Sequence, residues 1–246
     1  IDEQKRFLSD QQLIPLEGLG LRILLAPELG GRMVSLKDGR GTEWLRPPRA
    51  TDFDAPVSGG YEEYSGVTWR SPGWHESYAS LPDDRGLCLS AALANGLRIQ
   101  RTYRIETRAG SSSLIIRSLL TNTTEKLQEA IIRVHPIFDP GGWNATSISW
   151  KRPDQKWVSL APWRGNGDER GDQWLENENR PDGAWALIRD GRQLVMHFDN
   201  ASVWKCLLDW SRVDEAINME LFGHHRLLKP GETLGLNQCW EFVDVI

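Results

Sequence analysis

The stretch Leu97-Arg-Ile-Gln-Arg-Thr-Tyr-Arg-Ile-Glu106 alternates strictly between a mainly apolar set of side chains and a polar, largely charged set. Successive side chains of a β-strand point to opposite faces, so a period of two is typical of a strand with one buried face. One face of this strand is predicted to carry Leu97, Ile99, Arg101, Tyr103 and Ile105. The charged residues between them are predicted to lie on the other face.

The same kind of run recurs along the chain, with Gly, Pro, Asp or Asn between the runs. Further strands are predicted at 21–26, 32–37, 114–122, 130–138, 184–189, 193–198, 203–208, 216–221 and 233–242. Asp190-Gly191-Arg192 predicts a hairpin turn. Only residues 3–13 have helical spacing. We therefore expect an all-β protein, a large antiparallel β-sandwich that forms one domain over residues 1–246. The irregular segments 47–72 and 140–181 are predicted to be long functional loops.

Composition narrows the possible functions. The chain has 246 residues, of which 39% are hydrophobic and 26% charged, and its net charge is −5. The acidic balance and the scattered Lys and Arg argue against a nucleic-acid partner. No apolar run is long enough to span a bilayer, and no secretory leader is visible, so we expect no membrane partner and a cytoplasmic location. The widely spaced Cys88, Cys206 and Cys239 are expected to be buried free thiols.

Four segments, in this order, resemble the galactose mutarotase-like (aldose 1-epimerase) superfamily. The first is residues 26–38 with the turn Gly30-Gly-Arg32, and the second is Gly59-Gly-Tyr-Glu-Glu63 followed by Pro72-Gly-Trp-His-Glu-Ser-Tyr78. The third is Arg101-x-Tyr-x-Ile, then Leu114-x-Ile, then Leu120-Thr-Asn122, then His135-Pro-Ile-Phe138. The fourth is Asn218-Met-Glu220 followed by Leu228-Lys-Pro-Gly-Glu232 and a closing aromatic strand. The resemblance implies the supersandwich fold of that superfamily. It also implies a small-molecule sugar as substrate and a reaction that needs neither cofactor nor metal.

Mutarotation needs a base at the O1 hydroxyl and an acid at the ring oxygen, both with pKa values near the working pH. The resemblance implies that Glu220 is the base, that His135 is the acid, and that His75 is a further polar contact. Charged groups hold sugar hydroxyls through directional hydrogen bonds, and aromatic rings stack on the apolar face of a pyranose. The predicted substrate-binding residues are Arg70, Glu62, Glu63 and Trp74.

The residues themselves allow a plainer interpretation. His135 lies in a nearly continuous apolar run, which favours a hydrogen-bonded core histidine, but Pro136 indicates a strand edge or end, where a site would open. Alternation places Glu220 on the face opposite Ile217, Met219 and Leu221, where a solvated glutamate is common. Arg133 shares the face of His135 and is expected to keep a nearby carboxylate ionised.

Several features stay open in the sequence. A third acidic site residue has three candidates, Asp168, Asp172 and Asp209. Adjacent His224 and His225 would point to opposite sides of an extended segment, so we expect no metal site there. Trp69, Trp74 and Trp143 lie in Gly/Pro-rich surroundings that suit sugar stacking. Phosphate on the substrate would need rim cations, for which Arg152, Arg164 and Arg170 are candidates.

Three functions fit the sequence. The leading hypothesis is an aldose 1-epimerase-like enzyme that interconverts the α and β anomers of a sugar by Glu/His acid–base catalysis. The alternative is a non-catalytic carbohydrate-binding protein on the same fold. The third is a different enzyme on this scaffold, such as a lyase or the accessory domain of a hydrolase. The sequence predicts no oligomeric state.

Overall fold

The computed structural model describes residues 12–48, 59–81, 83–108, 111–164 and 169–244. Its strands are β1 Ile14–Gly18, β2 Leu21–Ala26, β3 Arg32–Lys37, β4 Gly60–Ser65, β5 Ala79–Leu81, β6 Leu87–Ala92, β7 Leu97–Arg108, β8 Ser111–Asn122, β9 Gln128–Ala130, β10 Ile132–Phe138, β11 Ser147–Lys151, β12 Trp157–Leu160, β13 Arg170–Leu175, β14 Ala184–Arg189, β15 Arg192–Phe198, β16 Val203–Ser211, β17 Ala216–Gly223, β18 Arg226–Leu228 and β19 Thr233–Asp244. Short 3₁₀ turns lie at Trp143–Ala145, Pro162–Arg164 and Asn177–Asn179.

The strands form two large antiparallel sheets. The first has eight strands in the order β1-β2-β3-β4-β10-β17-β16-β13, and the second has nine in the order β12-β11-β14-β15-β19-β8-β7-β6-β5. Strands β18 and β9 form a separate pair. The predicted all-β sandwich is therefore confirmed.

The two sheets bury one shared apolar core. Alternate residues of each strand supply it, as the period of two requires. On β17 they are Ile217, Met219 and Leu221, all fully buried. Across the core, the ring of Trp240 on β19 packs against Tyr61 on β4 at 5.3 Å and against Phe138 on β10 at 5.7 Å between ring centroids. These contacts fix the inner face of the eight-stranded sheet and so also its outer face.

The strongly alternating runs are confirmed as strands. Residues 97–106 lie within β7, where Leu97, Ile99, Arg101 and Tyr103 are fully buried. The hairpin at Asp190 is also confirmed: Arg189 pairs with Arg192, and Asp190 and Gly191 have φ angles of 51° and 71°. Such positive φ values are characteristic of a type I′ turn, whose twist matches that of the flanking strands.

The two predicted long loops were only partly right. Segment 47–72 contains β4, whose six residues are all buried, and segment 140–181 contains β11, β12 and β13. These strands are short, and pairing with longer neighbours holds them in the sheets. Residues 3–11 of the predicted helix lie outside the described residues. Of the two positions predicted for Pro136, the edge of a sheet was wrong, because β10 lies between β4 and β17. Pro136 lies near the end of its strand, which is at Phe138.

Arg101 is a charged residue on the inner face, where the alternation of β7 predicts it. Its guanidinium is fully buried and donates to the carbonyl oxygens of Gly31 and Gly30, each at 2.9 Å, and to the hydroxyl of Tyr78 at 2.5 Å. Gly30 has a φ of 71°, and a Cβ there would overlap the carbonyl group of Trp74. A side chain at Gly30 would therefore displace the loop that holds Trp74 and would disturb the carbonyls that accept hydrogen bonds from Arg101.

The three thiols behave as the sequence predicts, since Cys88, Cys206 and Cys239 are buried and free. Within the described ranges, no helix has the length and hydrophobicity needed to cross a membrane.

Candidate active site

A cleft of about 430 Å³ opens on the outer face of the eight-stranded sheet, over β4, β10, β17 and β16. This volume lies in the range of small-molecule sites. The lining residues are Arg46, Glu62, Trp69, Arg133, His135, Ile137, Leu207, Asp209, Ser211, Asp214, Ala216, Asn218 and Glu220.

Strand register brings three titratable side chains into one row at the floor of the cleft. His135 on β10 pairs with Glu62 on β4. On the other side of β10, Val134 pairs with Leu221 and Ile137 with Asn218, which places His135 opposite Glu220. The β10–β17 ladder is interrupted at His135 and Pro136, where proline has no N–H to donate. Pro136 thus leaves a gap in the pairing of β10 with β17 beside the candidate site, while β10 itself continues and pairs with β4.

The imidazole of His135 contacts a carboxylate on each side. Its Nδ1 lies 2.9 Å from Oε1 of Glu62, a close contact that is not aligned as a hydrogen bond, and its Nε2 lies 3.3 Å from Oε1 of Glu220. The other oxygen of Glu220 accepts a 2.6 Å hydrogen bond from Nε of Arg133. The second oxygen of Glu62 accepts from the buried Arg32. Two cations therefore compensate the two carboxylates that flank the histidine.

These neighbours shift the titration of the row. Burial lowers the pKa of His135, but the charges of Glu220 and Glu62 outweigh it, so the pKa of His135 lies above its ordinary value. Burial raises the pKa of Glu62, but Arg32 and His135 outweigh it, and that pKa lies below its ordinary value. The charges of the cleft floor thus favour the protonated form of His135 and the ionised form of Glu62.

A fourth titratable group lies one step along the sheet. Asp209 on β16 pairs with Asn218 on β17, and the amide of Asn218 donates to Oδ1 of Asp209 at 3.1 Å. Partial burial and the nearby charge of Glu220 raise the pKa of Asp209 to about 6. The amide oxygen of Asn218 is buried without a hydrogen-bond partner. This corner of the cleft therefore has a carboxyl that titrates near neutral pH beside an available acceptor.

Of the predicted site residues, the structure brings together Glu62, His135 and Glu220. It does not bring Glu63 to them, because neighbouring residues of a strand point to opposite faces. Glu63 is fully buried between the sheets, where it contacts Nε of Arg101 at 3.6 Å and accepts from the hydroxyl of Ser118 at 2.7 Å. Glu63 therefore faces the core and not the cleft.

His75, Arg70 and Trp74 are not among the residues that line the cleft. His75 is exposed, and its ring centroid lies 5.7 Å from that of Trp74. The buried Trp74 packs against Tyr64 beneath the loop. The guanidinium of Arg70 stacks 4.2 Å from the ring centroid of Trp69. These three residues support the loop of residues 66–75 rather than the cleft floor.

Of the tryptophans singled out in the sequence, Trp69 lines the cleft and has 53% of its surface exposed. Trp143 packs on the buried Trp163, with ring centroids 5.4 Å apart, outside the cleft. Among the acidic candidates, Asp209 lines the cleft, Asp172 is exposed on β13, and Asp168 lies outside the described residues. Arg170 binds Asp214 at the cleft edge at 2.9 Å, whereas Arg152 and Arg164 do not line the cleft.

Two arginines of the site were not recognised in the sequence. Arg32 belongs to the Gly-Gly-Arg turn, whose spacing gives no sign that β3 would carry its guanidinium to Glu62. Arg46 lines the cleft just before two prolines and has no sequence signal. Among the described residues, no group of three or more His, Cys, Asp or Glu side chains is arranged to hold a metal ion.

Comparison with known proteins gives the same fold. No protein-family model matches the chain, and no curated protein sequence matches it. Solved structures do match. The Slr1438 protein of Synechocystis sp. PCC 6803 superposes with a TM-score of 0.75 at 11% identity, over 96% of each chain.

Two galactose mutarotase-like proteins are also similar. The one from Lactobacillus casei ATCC 334 has a TM-score of 0.66 at 12% identity, over 94% of this chain and 100% of its own. The one from Clostridium acetobutylicum has a TM-score of 0.65 at 12% identity, over 96% of each chain. At such identities the likeness concerns the fold alone. The chain therefore has the galactose mutarotase-like fold.

Proposed function

We propose that the protein interconverts the α and β anomers of an aldose by acid–base catalysis in this cleft. The observation that carries the proposal is the contact between His135 and Glu220 on the cleft floor, 3.3 Å from Nε2 to Oε1. A proton donor and a proton acceptor side by side suit the two neighbouring oxygens of a hemiacetal, the ring oxygen and O1.

The reaction conserves protons. His135, with its pKa above the ordinary value, donates a proton to the ring oxygen while Glu220 removes the O1 proton. The C1–ring oxygen bond breaks, and the open-chain aldehyde rotates about C1–C2. Glu220 then returns its proton to the carbonyl oxygen as the ring hydroxyl attacks C1 and gives its proton back to His135. Each side chain ends in its starting state, and no cofactor takes part.

The residues around this pair have supporting roles. Glu62 lies beside Nδ1 of His135, Nε2 faces Glu220, and Arg133 donates to the far oxygen of Glu220. Asp209 and the free acceptor of Asn218 are suited to bind sugar hydroxyls. The exposed ring of Trp69 at the cleft edge is suited to stack on the sugar.

One observation favours the alternative of a non-catalytic sugar-binding protein. Both oxygens of Glu220 already have partners, Arg133 and His135, so the carboxylate must give up the contact with His135 to act as a base. A binding protein would keep that network intact and use it only to shape the cleft.

Polarimetry on freshly dissolved α-glucose and α-galactose separates the two functions. We expect wild type to accelerate the change in rotation, and Glu220→Gln and His135→Asn each to lose about 100-fold or more of that rate while remaining folded. The matched control is His197→Asn, because His197 and Glu241 form a similar 3.3 Å pair on the other sheet. Sugar binding by calorimetry without any acceleration across a panel of aldoses would instead establish the binding protein.

A further inference from the structure

Beyond the cleft, the row of residues that contains Glu220 continues to the edge of the sheet. Glu220 pairs with Leu207 on β16, and Leu207 pairs with Trp174 on β13. All three side chains lie on the outer face, and Leu207 also lines the cleft. Since neighbouring strands are about 4.8 Å apart, Trp174 lies about 10 Å from Glu220 along this row.

Among the residues that the structure describes, Trp174 is one of two exposed aromatic residues at this edge. Its surface is 45% exposed, and that of Trp204 is 47% exposed. The register shifts between Val203 and Lys205, and this β-bulge places Trp204 and Lys205 consecutively on the outer side. A bulge of this kind re-aims a side chain that strict alternation would send into the core. The local backbone thus exposes a ring that the core would otherwise bury.

Lys205 orders the two rings. Its ammonium lies 3.8 Å from the ring centroid of Trp174 and 4.5 Å from that of Trp204, and 3.8 Å from a carboxylate oxygen of Glu176. The ring of Trp174 also packs on Phe222, with centroids 5.3 Å apart. Cation–π and ring contacts hold both indoles in place, so little side-chain entropy remains to be lost when a ligand stacks on them.

We propose that Trp174 and Trp204 form a second sugar subsite, so that the substrate is the reducing end of a disaccharide or longer chain. This inference rests on the proposed function, because the reducing unit occupies the cleft at Glu220. The next unit then extends over Leu207 and stacks on Trp174. Rigid exposed indoles flanked by a cation and a carboxylate offer a sugar both an apolar face and hydrogen-bonding groups.

The test compares glucose and galactose with maltose, cellobiose, lactose and melibiose, by calorimetry and by mutarotation rate. We expect at least one disaccharide to have a kcat/KM about tenfold above that of its reducing monosaccharide, and Trp174→Ala to remove that advantage while the monosaccharide rate stays unchanged. Trp157→Ala is the matched control, since Trp157 is 51% exposed on β12 of the other sheet.

The outcomes separate this inference from the proposed function. Disaccharide binding that depends on Trp174 without any mutarotation would sustain the subsite and refute the proposed reaction. Mutarotation of monosaccharides with no disaccharide preference, or with an equal loss in Trp174→Ala for both sugar classes, would overturn the subsite alone. Light scattering tests whether a second copy of the chain, instead of a sugar, covers Trp174 and Trp204. If Trp174→Ala converts an oligomer into a smaller particle, these residues form a contact between copies and the subsite is refuted.

Discussion

His135 and Glu62 face each other on paired strands, with 2.9 Å between Nδ1 and Oε1. The next residue of β4, Glu63, points between the sheets to Arg101. Two adjacent glutamates of one strand thus belong to different parts of the molecule. Glu62 tunes the candidate acid, whereas Glu63 compensates a cation in the core.

Glu62→Gln is expected to lower the pKa of His135, because it removes one of the two negative charges that raise it. The limb of the pH–rate profile that reports His135 should move to lower pH, and an NMR titration of the imidazole should show the same shift. Glu63→Gln is the paired control. It should leave the titration of His135 in place and destabilise the fold by about 3 kcal/mol, because Arg101 loses its buried partner. Equal shifts in both variants would contradict the division between the two glutamates.

Arg32→Ala should destabilise the protein by about 3 to 5 kcal/mol, since it leaves the buried carboxylate of Glu62 without its cation. Arg22→Ala removes an ion pair with Glu17 in which both side chains are more than half exposed, and should change stability by less than about 0.5 kcal/mol. Urea unfolding of both variants measures the difference. If Arg32→Ala lost as little stability as Arg22→Ala, the prediction for the Arg32–Glu62 pair would be contradicted.

The stability of the protein should depend on pH through His135. Its pKa is raised in the folded state, so its favourable contribution is fully present below the unfolded value of about 6.5 and is lost as pH rises through the higher folded value. The unfolding free energy of wild type relative to His135→Asn should therefore be largest near pH 6 and smaller near pH 9. Denaturant titrations at these two pH values test the sign, and a difference that grows with pH would refute it.

Asp209→Asn should change stability in a pH-dependent way. The folded pKa of Asp209 is about 6, so its ionisation above that pH weakens the folded state, and the stabilising contribution of the neutral form is fully present only below the unfolded value of about 4. The variant should be more stable than wild type near pH 8, by on the order of 1 kcal/mol after allowance for solvent screening, and gain nothing near pH 4. Asp154→Asn, at an exposed turn, is the control for denaturation at both pH values.

The strands with strict alternation could be predicted from the sequence because burial of one face is a local pattern. Residues 97–106 and 216–221 carry their own period of two, and it is independent of the strands that pair with them. The rule that successive strand residues point to opposite faces also correctly placed Glu220 on the face opposite Met219. Strand β13, Arg170–Leu175, has no such pattern. It forms because its backbone pairs with β16 through antiparallel hydrogen bonds.

The sequence by itself determined the all-β class, the parity of each strong strand and the identity of His135 and Glu220 as candidates. Only the tertiary structure decided which carboxylate faces which histidine, because register between strands far apart in the chain is set by global packing and not by local pattern. That register joined Glu62 to His135, and the packing of the two sheets gave Glu63 its partner Arg101. The path of the loop after β4 left His75 outside the cleft. Register also placed Trp174 in the row of Glu220, a relationship that spans three strands and that no stretch of sequence contains.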